Sequence, residues 1–233
     1  MSGSFCDRLR DASMPVWRVL PGHPFVHELA AGTLPAEKFR FYLEQNLLYL
    51  PEYARAIAIG VARTRDTAEL RSLAAALANI VETEIPENCE LLERVIAAGA
   101  RDRGGTTAVA PATLAYTSYL LASAFRGGPL DIMTAIMPCA WSYGEIARGL
   151  RAVDAGHPIY SDWIGLFASD TYAELVERMK ADINALAARG AADESRLADT
   201  FRNGVRLELG FWRMAYELEQ WPDAALDLHE LAT

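Results

Sequence analysis

Apolar residues recur at three- and four-residue steps along most of the chain, as in FRFYLEQNLLYLPEYARAIAIGVA from Phe39 to Ala62. No segment alternates apolar with polar positions between hairpin turns, so the periodicity predicts an all-α fold. Helices are predicted near residues 4–18, 23–31, 35–64, 67–98, 111–125, 129–153, 158–167, 169–189 and 193–219. Two boundaries rest on local chemistry. In Thr33-Leu34-Pro35 a capping hydroxyl precedes a first-turn proline, and Gly127-Gly128-Pro129 separates two apolar helical stretches. The polar connection over 99–110 is the one long loop, and no repeat, low-complexity stretch or linker-like shift in composition interrupts the chain. A single helical bundle over 1–233 is therefore expected.

Pro51, Pro86 and Pro138 fall inside predicted helices. Each is expected to kink its helix, because the ring clashes with the carbonyl four residues back and offers no N–H. At Pro86 a helix boundary is an equal alternative. At Pro138 a kink would loosen the backbone beside Cys139 and aim its thiol at a cavity.

Composition narrows the function classes. Hydrophobic residues are 52% of the chain and charged residues 23%, enough apolar surface for a core without disulfides or a structural metal. The net charge of −9 opposes attraction to phosphate backbones and anionic membranes, so no nucleic-acid or membrane partner is expected. No run approaches the roughly 18 apolar residues of a membrane span. The first thirty residues lack a signal-peptide pattern, and Cys6, Cys89 and Cys139 cannot all pair, which together predict a cytoplasmic protein with free thiols.

Three clusters could carry chemistry. Tyr42, Asn46, Tyr49 and Tyr53 share one helix face at steps of four, three and four; the simpler reading puts the tyrosines at the bundle rim with their hydroxyls in water. Pro138-Cys139-Ala140-Trp141-Ser142-Tyr143-Gly144-Glu145 places Cys139 with Tyr143 on one face and Trp141 with Glu145 on another, although a cysteine in an apolar helix is commonly an inert small hydrophobe. Glu208 has Phe211 and Trp212 three and four residues on, where desolvation would poise a carboxyl to pass a proton; a rim salt bridge with Arg206 or Arg213 is the alternative. Phosphate-loop, dinucleotide-binding, HExxH and paired CxxC motifs are absent. His23 and His27 are four apart, but His23 precedes Pro24 and reads as a cap or a packed side chain. Glu82 and Glu84 point to different sides of a helix, and Asn88 stands where a histidine would follow Glu84, so no metal site is expected.

Taken in order, HPFVHELAAGTLP, FRFYLEQNLLYLPEYAR, AYTSYLL, MPCAWSYGEI, GHPIYSDWIGLFAS and LELGFWRMAYELEQWP resemble the TenA proteins, the thiaminase II or aminopyrimidine aminohydrolase family of the heme-oxygenase-like all-α fold. The resemblance runs over essentially the whole chain. It implies a hydrolase that needs no cofactor, removes the amino group from 4-amino-5-aminomethyl-2-methylpyrimidine for thiamine salvage, can also cleave thiamine, and assembles as a homotetramer. It further implies Cys139 as the nucleophile, Glu208 as the proton carrier and Tyr49 as the residue that activates the cysteine. Tyr143 would touch the substrate, Tyr116 and Phe167 would wall the flat ring, and Tyr53 and Phe211 would complete the binding set.

Two positions depart from the family pattern. Asn46 stands where an aspartate usually holds the ring nitrogen and amino group; it keeps hydrogen bonding but loses the charge that stabilises a protonated pyrimidine, an effect of about 1.5–3 kcal/mol. Phe167 stands where many relatives have tyrosine. Both point to slower chemistry or a differently substituted ring, with a pyrimidine-binding protein of altered chemistry as the alternative. The scarcity of histidines opposes heme or iron redox chemistry, and a sequence pI of 5.0 opposes a DNA-binding regulator.

Overall fold

A computed structural model describes residues 3–101, 108–190 and 192–222. Part of the predicted 99–110 loop, His229 and the chain end lie outside these residues. Among the described residues every regular element is helical: α1 Phe5–Trp17, α2 Pro24–Ala30, α3 Ala36–Arg63, α4 Thr67–Asn79, α5 Ile85–Ala97, α6 Pro111–Arg126, α7 Pro129–Leu150, α8 Pro158–Phe167, α9 Asp170–Ala188 and α10 Glu194–Glu217. No described helix is long and apolar enough to cross a membrane.

Local signals explain most boundaries. Ser4 and Asp7 form a reciprocal capping box at α1, and the His23 ring nitrogen accepts the Phe25 N–H at 3.2 Å to cap α2, as the sequence suggested. Gly127 and Gly128 end α6 and open α7, with Pro129 in its first turn. Thr33 does not cap α3. The helix begins at Ala36, two residues too late for that hydroxyl, which instead donates to the Glu28 carbonyl at the end of α2.

α3 and α7 run unbroken through Pro51 and Pro138. The predicted helix over 67–98 runs without a break from Thr67 to Ala97 but changes its winding midway. Between α4 and α5 lies a π-helical turn, Ile80–Glu84, closed by the Ile85 N–H donating to the carbonyl of Ile80, five residues back. Pro86 follows at once, so the wider turn sits where the proline removes an ordinary helical donor. Glu84 is buried by this turn while Glu82 stays in solvent.

The core is built around α3, α7 and α10. Trp212 of α10 stacks between Tyr42 of α3 at 5.6 Å and Tyr143 of α7 at 5.0 Å. On another face of α7, the Glu145 carboxylate accepts from Arg10 at 2.7 Å and from the Trp17 indole at 3.2 Å, and the Arg10 guanidinium lies 5.3 Å from both the Trp17 and the Trp141 ring. The Trp141–Glu145 face therefore docks α1 and takes no part in the cluster around Cys139.

One close approach sets where the chemistry-bearing helices meet. A Cβ on Gly204 of α10 would lie 2.7 Å from Cγ of Pro138 and 3.3 Å from the carbonyl oxygen of Ala135 on α7. Only glycine lets the two backbones come this near. Glu208 stands one turn beyond Gly204, and Cys139 directly follows Pro138. Gly204→Ala should therefore destabilise the protein by about 1–2 kcal/mol in denaturant unfolding, the overlap outweighing the gain in helix propensity. Gly210→Ala on the same helix, whose added Cβ meets nothing within 4 Å, should be neutral or stabilising. Equal responses at both glycines would contradict the close-packing account.

Candidate active site

Cys139 is half-buried between the buried residues Pro138 and Ala140 of α7, and its thiol is turned into the interior. Glu208 comes down beside it from α10, only 1% exposed. The Tyr116 hydroxyl of α6 donates to the Glu208 carboxylate at 2.7 Å, and the carboxylate also meets the Cys139 thiol. Neither rim salt bridge forms, because Arg213 pairs with Glu217 and Arg206 with Asn203.

Electrostatics follow from burial. Desolvation raises the Glu208 carboxyl to about 7, held from rising further by its bonds to Tyr116 and Cys139. Desolvation, then the nearby carboxyls of Glu208 and Glu84, push the Cys139 thiol well above its usual range, while Tyr49 works in the opposite direction by favouring the thiolate. The thiol is thus protonated at rest and Glu208 is poised to take its proton. That transfer moves a charge between neighbours without adding one to a dry site, so burial does not forbid it.

The α3 tyrosines are not at the rim. Tyr42, Tyr49 and Tyr53 are all nearly inaccessible. The Tyr49 hydroxyl is sealed from water without a well-formed hydrogen bond, and its ring packs against Tyr116 at 4.9 Å, Phe211 at 5.6 Å and Tyr53 at 5.7 Å. Tyr53 donates to the carbonyl of Ile136, tying α3 to α7 just before Pro138. A hydrogen-bonded chain ends at Tyr143: the Trp163 indole donates to the Tyr42 hydroxyl, and the Tyr42 and Tyr143 hydroxyls share a hydrogen bond, both at 3.2 Å. Phe167 packs edge-on against Tyr143 at 5.0 Å and against Tyr172 at 5.2 Å.

Asn46 is part of a second chain of hydrogen bonds. The Asn88 amide donates to the backbone carbonyl of Glu84 at 2.7 Å, which fixes the Asn88 oxygen as an acceptor; Asn46 donates to that oxygen at 3.0 Å. One amide hydrogen of Asn46 is thereby committed, leaving its oxygen and second hydrogen. An aspartate at this position would set an acceptor against an acceptor.

Glu84 is the feature that the reading of the sequence missed. Only 7% exposed, it accepts from Asn79 at 2.8 Å, and burial raises it to about 7. Its charge reaches Cys139, Tyr53 and Tyr172. The signal was present, since Glu84 lies in phase with the buried residues Ile80, Asn88, Leu91 and Val95. Among the described residues no lysine, arginine or histidine pairs with Glu84 or Glu208.

A family profile for the TENA/THI-4/PQQC family matches residues 10–218, and the chain belongs to that family. The chain is 34% identical to an aminopyrimidine aminohydrolase of Halalkalibacterium halodurans over 94% of this chain and 98% of that one. It is 30% identical to an aminopyrimidine aminohydrolase of Bacillus subtilis, covering 95% and 94%. Among solved structures, a TenA homologue from P. horikoshii OT3 superposes with a TM-score of 0.80 at 32% identity, over 92% of this chain and 99% of that one. A protein from Silicibacter sp. TM1040, described as a TenA family transcription regulator, gives 0.82 at 31%, over 92% and 97%.

The raised carboxyls make a stability prediction. Glu84 and Glu208 titrate near 7 when folded and near 4.5 when unfolded, so folding favours their protonated forms. That contribution is fully present below 4.5 and is lost as pH rises through 7. Glu208→Gln and Glu84→Gln should each raise Tm at pH 8, by up to about 3 kcal/mol in stability, and change it little at pH 4.5. An equal Tm difference at both pH values would contradict the burial of these charges.

Proposed function

We propose that this protein is an aminopyrimidine aminohydrolase that converts 4-amino-5-aminomethyl-2-methylpyrimidine and water into the hydroxymethylpyrimidine and ammonia, serving thiamine salvage. The hydrolase class, acting on carbon–nitrogen bonds, follows the near full-length relatives named for that reaction. The observation that carries the reading is the Cys139 thiol beside a carboxyl poised near neutrality, among the packed rings of Tyr49, Tyr116 and Phe211.

Glu208 takes the thiol proton, and the Tyr49 hydroxyl, itself held as a neutral phenol by burial, donates toward the sulfur that becomes charged. The thiolate adds to the ring carbon next to the one bearing the aminomethyl arm, and an electron pair moves into the ring. The departing nitrogen, already cationic, leaves as ammonia when the carbon–nitrogen bond breaks, and an exocyclic methylene remains. Water adds to that methylene and releases a proton, the electrons flow back, and the thiolate is expelled and takes its proton back from Glu208 as the aromatic ring reforms. Thiamine carries its leaving group on the same methylene and fits the same sequence. Tyr143 binds the ring edge, Tyr116, Tyr53 and Phe211 flank its faces, and Phe167 braces Tyr143 from behind. The Asn46 oxygen accepts from the ring amino group. The enzyme acts as a homotetramer in the reducing cytoplasm, where Cys139 remains a free thiol.

Ammonia release from the aminomethylpyrimidine, with thiamine in parallel, tests this in the wild type, Cys139→Ala and Asn46→Asp. The wild type should turn over and Cys139→Ala should not. Activity confined to Asn46→Asp would mean a scaffold tuned to another ring, and silence in all three would favour a binding protein.

A further inference from the structure

The π turn buries an ionisable group that the proposed reaction leaves unused. Glu84 is buried in the turn between α4 and α5 and its charge is felt at Cys139, Tyr53 and Tyr172, whereas the Glu208 carboxylate is held by Tyr116 and Cys139. One of its carboxylate oxygens accepts from Asn79. Among the described residues no cationic side chain balances it. A buried carboxyl without a cation is costly to keep, and π turns concentrate where ligands bind. Its backbone carbonyl also holds Asn88 and, through it, Asn46, so one hydrogen-bonded chain ties the Glu84 turn to the position that lacks a charge.

We propose that Glu84 is the specificity-determining counter-charge of this site: its carboxylate balances the positive charge of a cationic aminopyrimidine held against Cys139, a part that the asparagine at position 46 cannot play. The inference rests on the reading of the cleft as an aminopyrimidine site and adds the residue that selects a cation over its neutral analogue. Two carboxyls then flank the ligand. Glu208 exchanges a proton with the sulfur, and Glu84 holds charge without entering the chemistry.

Equilibrium binding at pH 8 to the Cys139→Ala protein, which removes turnover, separates these parts. The probes are the aminomethylpyrimidine, whose arm is an ammonium, and the hydroxymethyl analogue, which is neutral at that pH. Glu84→Gln in this background should weaken the cationic probe by about 10- to 100-fold and leave the neutral probe within about twofold. Unchanged affinity for the cation, or equal loss of both probes, overturns the proposal, the second result marking Glu84 as a structural residue. Asn79→Ala gives an independent reading where Glu84→Gln fails to fold. Losing the bond that holds the Glu84 carboxyl down should move the pH midpoint of cation preference upward, and an unmoved midpoint counts against Glu84. If the unsubstituted Cys139→Ala protein binds neither probe, the aminopyrimidine reading itself falls and takes this inference with it.

Discussion

Glu208 is held in the interior by one short hydrogen bond from Tyr116 and by the thiol of Cys139, and among the described residues no cation offsets its charge. Everything around it serves that arrangement. A carboxyl so placed is balanced between its two protonation states near neutral pH, which is where a group that must both accept and return a proton works best. Replacing Tyr116 by a cation would drop the carboxyl out of that range. Opening the site to water would do the same, since desolvation is the first cause of the shift.

The fold meets these demands with close helix packing in place of loops. Gly204 lets α10 lie against Pro138, so the carboxyl and the thiol arrive side by side from two rigid helices. Trp212, one turn beyond Glu208, is clamped between Tyr42 and Tyr143 and fixes the rotation of α10. The same Tyr42 hydroxyl accepts from the Trp163 indole and shares a hydrogen bond with Tyr143, so one residue joins the packing to the polar chain. Keeping two unpaired carboxyls in such surroundings sacrifices stability at neutral pH, the usual trade at a working site.

The α-helical class and most helix positions were legible, because amphipathic periodicity reports which face is buried. Capping chemistry located the starts of α2 and α7. It failed at Thr33, where the helix begins two residues further on, and periodicity alone could not show that the segment around Pro86 widens into a π turn. At the site, residue type taken alone pointed the wrong way. Tyrosines at a rim and a glutamate in a surface pair are common; here the hydroxyls of Tyr49, Tyr53 and Tyr116 turn inward only because α6, α7 and α10 close over α3. What exposed the cluster was the order of several blocks along the chain. Glu84 escaped because it was weighed as one of a metal-binding pair instead of as a carboxyl on an apolar face. The pairing of Asn46 with Asn88 escaped as well, since hydrogen-bond direction between two amides is a tertiary property.

The central claim is that Cys139 gives its proton to Glu208, and the pH dependence of thiol alkylation tests it most directly. Site-resolved iodoacetamide labelling of Cys139 should accelerate with a midpoint near 7 in the wild type, following ionisation of Glu208. In Glu208→Gln that rise should vanish, leaving reactivity only at much higher pH, where the thiol ionises unaided. The same midpoint in both proteins would contradict the account.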